Sequence, residues 1–511
     1  MSVYTNTKNL PCKKEIEINF FRISPMFSKA LTRLSLSFLV GISVSLTAPF
    51  SVAATNPAQK EVKQKVNSLP APVLSAMQKQ KVSAKNISVS VDPVDGNGLK
   101  LNFNDKIPRT PASVEKIVVS ALALNVLGPA KAWRTQALSE AEIDNGVLKG
   151  DLYLVGNGDP TFTAERFWLL LDNLRARGVK DIQGDVYIDR SFFQLPKHDP
   201  FSFDGEGNRP YNLGADATLI NYRSQIIQIR PDKEKGVAYL YPSPRINGIR
   251  IPESIPLSQE PCGKWRKQIQ PDFSNPAAPK FLGKFPLRCG KKDFLYTAMT
   301  ENAYAETVFK SFWSQAGGKW NGKLKTGKAP EEATELAVNY SLPLSQVLHY
   351  LNKYSNNQIA RQLFLTVGKT EKGESKTLSK SRTRVEMLKK ELNIGKDELY
   401  VDNGSGLSRT SKMSTRAGNA ILLSMWDSPN MAEFMASLPI SGIDGTMRKR
   451  KVATGYAHIK TGYIANTRSI AGFVRGKSGK YYAVTAIVNG PEALGSLPVL
   501  DSVINWVYQQ G

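Results

Sequence analysis

Apolar and polar residues follow a helical pattern in the stretch RTPASVEKIVVSALALNVLG, residues 109–128. After Lys116 the stretch is almost continuously apolar, as a helix buried on all sides would be. Pro111 suits an early helical position, and Gly128 followed by Pro129 is a typical end signal. The pattern predicts a buried helix that begins with a serine and a lysine three residues apart. The residues expected to bury it are Ile117, Val118, Ala121, Leu122 and Leu124.

Between about residues 135 and 302, the pattern of apolar and polar residues is different. The segments GVLKGDLYLVGNGDP, IQGDVYIDRSFF, SQIIQIRPDK, GVAYLYPSP and INGIRIPES are short alternating runs broken by glycine, asparagine and proline. Such runs are typical of β-strands joined by turns. Helical patterning returns near Ala303, and two late segments, SIAGFVRG and YYAVTAIVNG, predict further strands. We therefore expect short strands and turns in this middle region.

Length and composition indicate a globular protein of more than one domain. Its 511 residues exceed the size at which a single core keeps growing, and 41% hydrophobic and 22% charged residues are ordinary for a folded chain. The net charge of +24 predicts contact with an anionic polymer or surface. Nucleic acid and an anionic cell envelope both fit that charge.

The N-terminal segment decides between these two partners. A short basic stretch after Met26 precedes an apolar run from about Leu34 to Leu46 and small residues up to Ala54. This order predicts a signal peptide over residues 1–54, with Met26 as an alternative translation start. An uncleaved anchor is the other interpretation, but the run is short and serine-rich for a bilayer span. Removing residues 1–54 takes away six basic and two acidic residues, so the charge falls from +24 to +20.

Cysteine and histidine are scarce. Cys12 lies in the segment predicted to be removed, so Cys262 and Cys289 form an even pair that predicts one disulfide in an oxidising compartment. Two free buried thiols are the alternative. The three histidines, His198, His349 and His458, are too few and too scattered for a zinc site or a Ser-His-Asp triad.

Ser113 and Lys116 supply another route to a serine nucleophile. Residues at i and i+3 share a helix face, and burial lowers the pKa of a lysine towards neutrality, so Lys116 can act as the base. In penicillin-interacting enzymes, a Ser-x-x-Lys pair is followed along the chain by a Ser-x-Asn element and then by a Lys-Thr-Gly element. Ser355 and Asn357 provide the first of these, and Lys460, Thr461 and Gly462 provide the second.

Each motif alone is a weak signal, because the chain contains second copies. Another Lys-Thr-Gly begins at Lys325, where we predict a turn between short strands. Another Ser-x-Asn begins at Ser428, where the central Pro429 predicts a loop that ends a helix. The order of the three elements and their local context favour the first set.

The motifs and four longer segments resemble the low-molecular-mass class C penicillin-binding proteins, the D-alanyl-D-alanine carboxypeptidase/endopeptidases of the bacterial periplasm. The segments are YLVGNGDPTFT (153–163), VYIDRSFF (186–193), VDNGSGLSRTSKMS (401–414) and LPISGIDGTMRKR (438–450). The resemblance implies an α/β (α+β) fold, with a penicillin-binding or β-lactamase-like transpeptidase core whose antiparallel sheet is flanked by helices. It also implies two inserted, largely β domains and a periplasmic location.

The separation of 242 residues from Ser113 to Ser355 leaves room for those insertions. We predict a catalytic domain over 55–134 and 334–511, an inserted domain II over 135–215 and 303–333, and a smaller β-rich domain III over 216–302. Domain III would hold both mature cysteines.

The resemblance and the requirements of acyl transfer assign roles to the motif residues. Ser113 attacks the carbonyl of a D-Ala-D-Ala bond or a peptide cross-link, and Lys116 takes its proton. Lys460 supplies a positive charge that lowers the pKa of Lys116 and attracts the substrate's terminal carboxylate. The resemblance implies that Ser355 relays a proton towards the leaving amine, and that Asn357 orients Lys116 and the substrate amide.

The remaining roles concern the substrate groove. We expect Thr461 to hydrogen-bond the carboxylate, Gly462 to allow close approach of the strand, and the backbone N–H groups of Ser113 and Tyr463 to form the oxyanion hole. Water hydrolyses the acyl-enzyme, and a β-lactam is trapped at the same ester. The mechanism requires neither a metal nor a cofactor.

Four further residues have two interpretations each. In FDGEGNRPYN, Asp204 or Glu206 either binds the side-chain amine of diaminopimelate, as the resemblance implies, or belongs to a solvated acidic loop. Ser405 and Gly406 either line the substrate groove or form a tight glycine turn.

Three other functions compete with this hypothesis. A serine β-lactamase would share the site, since Tyr354 and Asn356 match a Tyr-x-Asn element one register away, but the large insert argues against it. A non-catalytic wall-binding protein would not need the complete motif set, and a nucleic-acid binder does not fit the export signal. The expected partners are therefore peptidoglycan stem peptides and cross-links and β-lactam antibiotics. The charge predicts either peripheral contact with the membrane or the anionic wall, or only greater solubility.

Overall fold

The computed structural model describes residues 69–370 and 376–511, together with the backbone of Lys65–Val66. The predicted signal peptide, residues 1–54, lies outside this part of the chain. No helix among the described residues is long and apolar enough to cross a membrane.

A six-stranded sheet forms the centre of the first of three parts. Its strands are β1 (Lys65–Val66), β2 (Ile87–Pro93), β3 (Lys100–Phe103), β22 (Ala457–Ile464), β23 (Thr467–Arg475) and β24 (Tyr481–Asn489), and their order across the sheet is β1-β3-β2-β24-β23-β22. All neighbouring strands are antiparallel except β1 and β3. The strand β22, which carries Lys460, therefore lies at the edge of the sheet.

Helices cover both faces of this sheet, because the buried residues of its strands alternate between two cores. One face packs on α1 (Ala71–Lys79) and α11 (Leu497–Gln510). The other face packs on α2 (Lys116–Leu127), α6 (Leu344–Lys353), α7 (Asn357–Lys369), α8 (Thr377–Glu391), α9 (Thr415–Trp426) and α10 (Met431–Ser437). A two-stranded ribbon, β20 (Leu399–Tyr400) with β21 (Lys412–Met413), encloses the loop between them.

The second part has its own core, which two sheets and two helices enclose. The four-stranded sheet contains β5 (Ile143–Asp144), β6 (Val147–Leu148), β8 (Asp181–Ile182) and β17 (Lys319–Trp320). The five-stranded sheet contains β4 (Arg134–Ser139), β7 (Leu152–Gly156), β9 (Val186–Asp189), β18 (Leu324–Thr326) and β19 (Thr334–Tyr340). The helices are α3 (Ala164–Ala176) and α5 (Glu301–Gln315).

The third part is β-rich and has a separate core of aromatic and aliphatic residues. Its five-stranded sheet contains β10 (Gln225–Asp232), β11 (Val237–Ser243), β12 (Ser254–Ser258), β15 (Phe285–Pro286) and β16 (Lys292–Tyr296). The helix α4 (Trp265–Gln268) and the ribbon β13 (Pro271–Asp272) with β14 (Lys280–Phe281) complete it. The structure joins Cys262 to Cys289 here, with 4.8 Å between their Cα atoms.

The structure has the expected α/β core, an antiparallel sheet flanked by helices, with two largely β parts inserted between α2 and α6. The predicted helix is present, and the five residues expected to bury it are buried. It begins as a 3-10 turn, Ala112–Glu115, before α2 starts at Lys116. The predicted domain boundaries stay predictions.

The two extra motif copies have different outcomes. Ser428 and Pro429 lie in the loop between α9 and α10, as predicted. The prediction of a turn at Lys325 is wrong, because Lys325 lies in β18, which pairs in parallel with β9. A strand of three residues is too short to leave an alternating pattern that distinguishes it from a turn.

Candidate active site

The amine of Lys116 lies against the hydroxyl of Ser113. Its Nζ is 2.9 Å from Ser113 Oγ, one helical turn away. The same nitrogen donates to Asn357 Oδ1 at 2.8 Å and to the backbone carbonyl of Ser405. Lys116 is completely buried, whereas Ser113 is partly exposed. The hydroxyl of Ser113, the side chain of Asn357 from α7 and the backbone of the loop after β20 therefore meet at one buried nitrogen.

Burial is the main influence on this amine, and it lowers the pKa of Lys116 well below its ordinary value. The positive charge of Lys460 lowers it further, the Glu115 carboxyl opposes this change, and Arg361 lowers it slightly. The amine of Lys116 is thus biased towards the neutral form, which can accept a proton.

Ser355 and Lys460 form the opposite side of the site. Ser355 lies in the turn between α6 and α7 with φ of +57°, and its Oγ accepts a hydrogen bond from Lys460 Nζ at 3.0 Å. Lys460 also donates to the Thr461 carbonyl at 2.7 Å and is completely buried. Burial lowers the pKa of Lys460 to about 7.

The structure distinguishes the two registers of the Ser-x-Asn segment. Asn356 caps α7, where its side chain accepts the N–H of Ile359 at 3.1 Å. Asn357, the next residue, bonds Lys116, and the Tyr354 side chain is exposed. The geometry therefore favours Ser355 with Asn357 over the alternative Tyr354 with Asn356.

Two glycines allow other segments to approach the backbone of Ser113 closely. A Cβ atom at Gly462 would lie 2.2 Å from Ser469 Oγ and 3.1 Å from the Ser113 nitrogen. A Cβ atom at Gly406 would lie 1.9 Å from the Ala112 carbonyl oxygen and 2.9 Å from that nitrogen. Any side chain would therefore push β22 or the 402–411 loop away from Ser113.

The remaining residues of β22 line the edge of the groove. The Thr461 hydroxyl donates to Thr446 Oγ1 at 2.8 Å, and the Tyr463 ring is exposed beneath the guanidinium of Arg468. Sequence reasoning missed Thr446, although it lies within the quoted segment 438–450. A lone threonine carries no pattern that would single it out.

Ser405 and Gly406 lie in the core of the site. The Ser405 hydroxyl donates to Asn403 Oδ1 at 2.7 Å and is buried, so only the Ser405 backbone reaches Lys116. Gly406 has φ of +73°, which also fits the tight turn that was the other interpretation. Both interpretations thus describe features of the same loop.

The inserted loop that carries Asp204 and Glu206 contacts the site through its backbone, since Asn357 Nδ2 donates to the Tyr211 carbonyl at 3.2 Å. The Asp204 carboxylate accepts hydrogen bonds from the Tyr211 hydroxyl at 2.9 Å and from Asn212 Nδ2 at 2.7 Å. Glu206 is exposed and uses only its backbone in this network. Asp204 therefore has partners within its own loop.

Two known carboxypeptidases are similar to this chain over most of its length. D-alanyl-D-alanine carboxypeptidase DacB of Haemophilus influenzae is 24% identical over 423 residues, which cover 79% of this chain and 85% of the relative. The D-alanyl-D-alanine carboxypeptidase of Actinomadura sp. strain R39 is 25% identical over 421 residues, which cover 77% and 76%.

The fold is similar to that of penicillin binding protein 4 (dacB) from Haemophilus influenzae. The TM-score with that crystal structure is 0.70 at 22% sequence identity, over 86% of this chain and 99% of that one. The family model described as the D-Ala-D-Ala carboxypeptidase 3 (S13) family matches residues 69–508. The resemblance predicted from the motifs is confirmed, and the chain belongs to the D-Ala-D-Ala carboxypeptidase 3 (S13) family.

Proposed function

We propose that this serine D-Ala-D-Ala peptidase cleaves stem peptides and cross-links of peptidoglycan through an acyl-enzyme on Ser113. The observation that carries the proposal is the position of the Lys116 amine, buried and 2.9 Å from Ser113 Oγ. The family membership supplies the reaction class, and the geometry supports the assignment of each residue.

Lys116 is the general base of the acylation step. A neutral amine has two N–H bonds, and the oxygens of Asn357 and Ser405 can accept both of them. The lone pair then faces Ser113 and takes its proton as Oγ attacks the penultimate D-Ala carbonyl. Asn357 thus serves as an orienting group for Lys116.

Ser355 and Lys460 serve the leaving group. When the tetrahedral intermediate collapses, the amine of the departing D-Ala residue needs a proton, and the Ser355 hydroxyl can relay one from Lys116. The 3.0 Å hydrogen bond from Lys460 orients that hydroxyl. The backbone N–H groups of Ser113 and Tyr463 bind the oxyanion. This assignment is supported by Gly462, which allows β22 to lie close to the backbone of Ser113.

Hydroxyl groups and charge at the edge of β22 bind the substrate carboxylate. Thr461 and Thr446 place two hydroxyls within 2.8 Å of each other, and the charge of Lys460 lies behind them. When the substrate is a cross-link, the carboxylate on the same carbon as the leaving amine would bind these hydroxyl groups instead. Both carboxypeptidase and endopeptidase action are therefore compatible with the site.

Glu206 is a better candidate than Asp204 for the diaminopimelate amine. Both residues are exposed, but the Asp204 carboxylate already has two side-chain partners in its loop, whereas Glu206 uses only its backbone there. The protein would act in the periplasm after removal of residues 1–54, and its charge of +20 would favour contact with the anionic wall.

Intact-mass spectrometry after incubation with benzylpenicillin tests the proposal. We expect one stable adduct on the wild type, none on Ser113→Ala, and the wild-type adduct on Ser428→Ala, which alters the other Ser-x-Asn copy. Rapid loss of the drug without an adduct would indicate a β-lactamase instead. Intact drug without any adduct would contradict the catalytic assignment.

A further inference from the structure

The carboxyl group of Glu115 is buried next to the catalytic pair, and no step proposed above uses it. Glu115 lies between Ser113 and Lys116 in the 3-10 turn and is almost completely inaccessible to solvent. Its Oε1 accepts the N–H of Gly406 at 3.2 Å. The Ser411 hydroxyl is the carboxyl's other hydrogen-bond partner among the described residues. Two partners are few for a buried carboxyl, and its burial is costly, which indicates a role other than stability.

A single peptide group connects this carboxyl to the Lys116 amine. The N–H that Glu115 accepts belongs to Gly406, and the carbonyl that accepts from Lys116 belongs to Ser405. These are the two ends of one planar peptide unit. A carboxylate on the N–H polarises the unit and makes its carbonyl oxygen a stronger acceptor.

We propose that Glu115 is a positioning residue for Lys116: it fixes the Ser405–Gly406 peptide, whose carbonyl holds the Lys116 amine against Ser113, and its charge favours the ammonium that forms during acylation. This inference rests on the proposed function, in which Lys116 takes the proton of Ser113. In that step the proton moves from Ser113 Oγ to Lys116 Nζ, and Glu115 exchanges no atom.

The charges around Lys116 support the role proposed for Glu115. The groups that act on Lys116 are Lys460 and Arg361, which lower its pKa, and Glu115, which raises it. Burial raises the pKa of Glu115 to about 7, and the nearby Asp402 adds to this rise, whereas Ser411, Lys116 and the Gly406 N–H oppose it. The charge of each group therefore influences the pKa of the other.

The test is the pH dependence of Ser113 acylation by benzylpenicillin in Glu115→Gln. This variant keeps an oxygen for the Gly406 N–H but removes the charge. Since the charge of Glu115 raises the pKa of Lys116, its loss should move the acidic limb of the rate profile about 1 pH unit lower. Glu391→Gln, which removes the same charge from an exposed site at the end of α8, should leave the limb unchanged.

A second variant, Glu115→Met, removes both the charge and the acceptor. We expect the same shift of the limb and an acylation rate about tenfold lower at its plateau, because the Gly406 N–H loses its partner. Thermal unfolding identifies any loss of fold, and Glu115→Gln alone suffices if Glu115→Met does not fold. An acidic limb that stays in place or moves to higher pH in Glu115→Gln would overturn the inference. Absence of an adduct on the wild type would instead contradict the proposed function.

Discussion

The two Lys-Thr-Gly copies have the same three residues in opposite environments. Lys460 lies in β22, is 0% exposed and donates only to uncharged oxygens in the part of the chain described. Lys325 lies in β18, its side chain is 48% exposed, and it pairs with Asp185 at 2.5 Å. Burial lowers the pKa of Lys460, whereas the hydrogen bond to Asp185 raises the pKa of Lys325. A tripeptide therefore becomes a candidate site only where the fold buries its charge and leaves it without a counter-ion.

Replacing each lysine with methionine gives the largest expected difference. Lys460→Met removes both the hydrogen bond to Ser355 and the positive charge near Lys116, so acylation by benzylpenicillin should slow by roughly 100- to 1000-fold. The Lys325→Met variant should be acylated at a rate within about twofold of the wild type, because the partners of Lys325 are Asp185 and Tyr187, which lie outside the site. Stopped-flow or quenched mass spectrometry measures both rates. Similar losses in the two variants would show that the burial of Lys460 has no functional consequence.

The same contrast predicts how stability depends on pH. The unfolded chain binds a proton on each lysine up to about pH 10, whereas folded Lys460 releases its proton at about pH 7. The unfolded state then holds more protons between these pH values, so the free energy of unfolding rises with pH, by up to about 1.4 kcal/mol per unit for this group. Denaturant unfolding of the wild type between pH 7 and 9 measures the slope.

Lys460→Met should lower that slope, and Lys325→Met should not. The raised pKa of Lys325 means that both its folded and unfolded forms keep their proton across this range. A slope that remains unchanged in Lys460→Met would contradict the lowered pKa of Lys460.

Substitution of the two glycines gives a smaller difference. In Gly462→Ala, the new methyl group meets Ser469 Oγ and the Pro111 carbonyl, so β22 must move away from Ser113, and acylation should slow by about 10- to 30-fold. In Gly327→Ala, the methyl group meets the ring of Tyr187, a side chain that is able to shift. Its acylation rate should equal that of the wild type. Slow acylation of the Gly327→Ala variant would indicate a general loss of fold, which thermal unfolding would reveal.

The resemblance of the motifs and longer segments predicted the fold class. Local spacing predicted the helix after Pro111, because spacing determines which side chains share a helix face. The sequence did not predict that Lys325 lies in a strand or that the Ser405 carbonyl binds Lys116. A backbone carbonyl has no signature in the sequence, and its position depends on how a distant loop packs. Thr446 shows the same limit, since only the tertiary fold brings it to Thr461.

The smallest expected effect concerns the hydroxyl partners of the two threonines. Thr461 bonds the Thr446 hydroxyl, whereas Thr326 bonds the Asn302 side chain. Thr446→Val keeps the shape but removes one hydroxyl from the proposed carboxylate site, so KM for a D-Ala-D-Ala peptide should rise about threefold while kcat stays the same. The same peptide with an amidated C-terminus should show no change, and Thr326→Val should affect neither substrate. An equal rise in KM for both peptides would mean that Thr446 shapes the groove without binding the carboxylate.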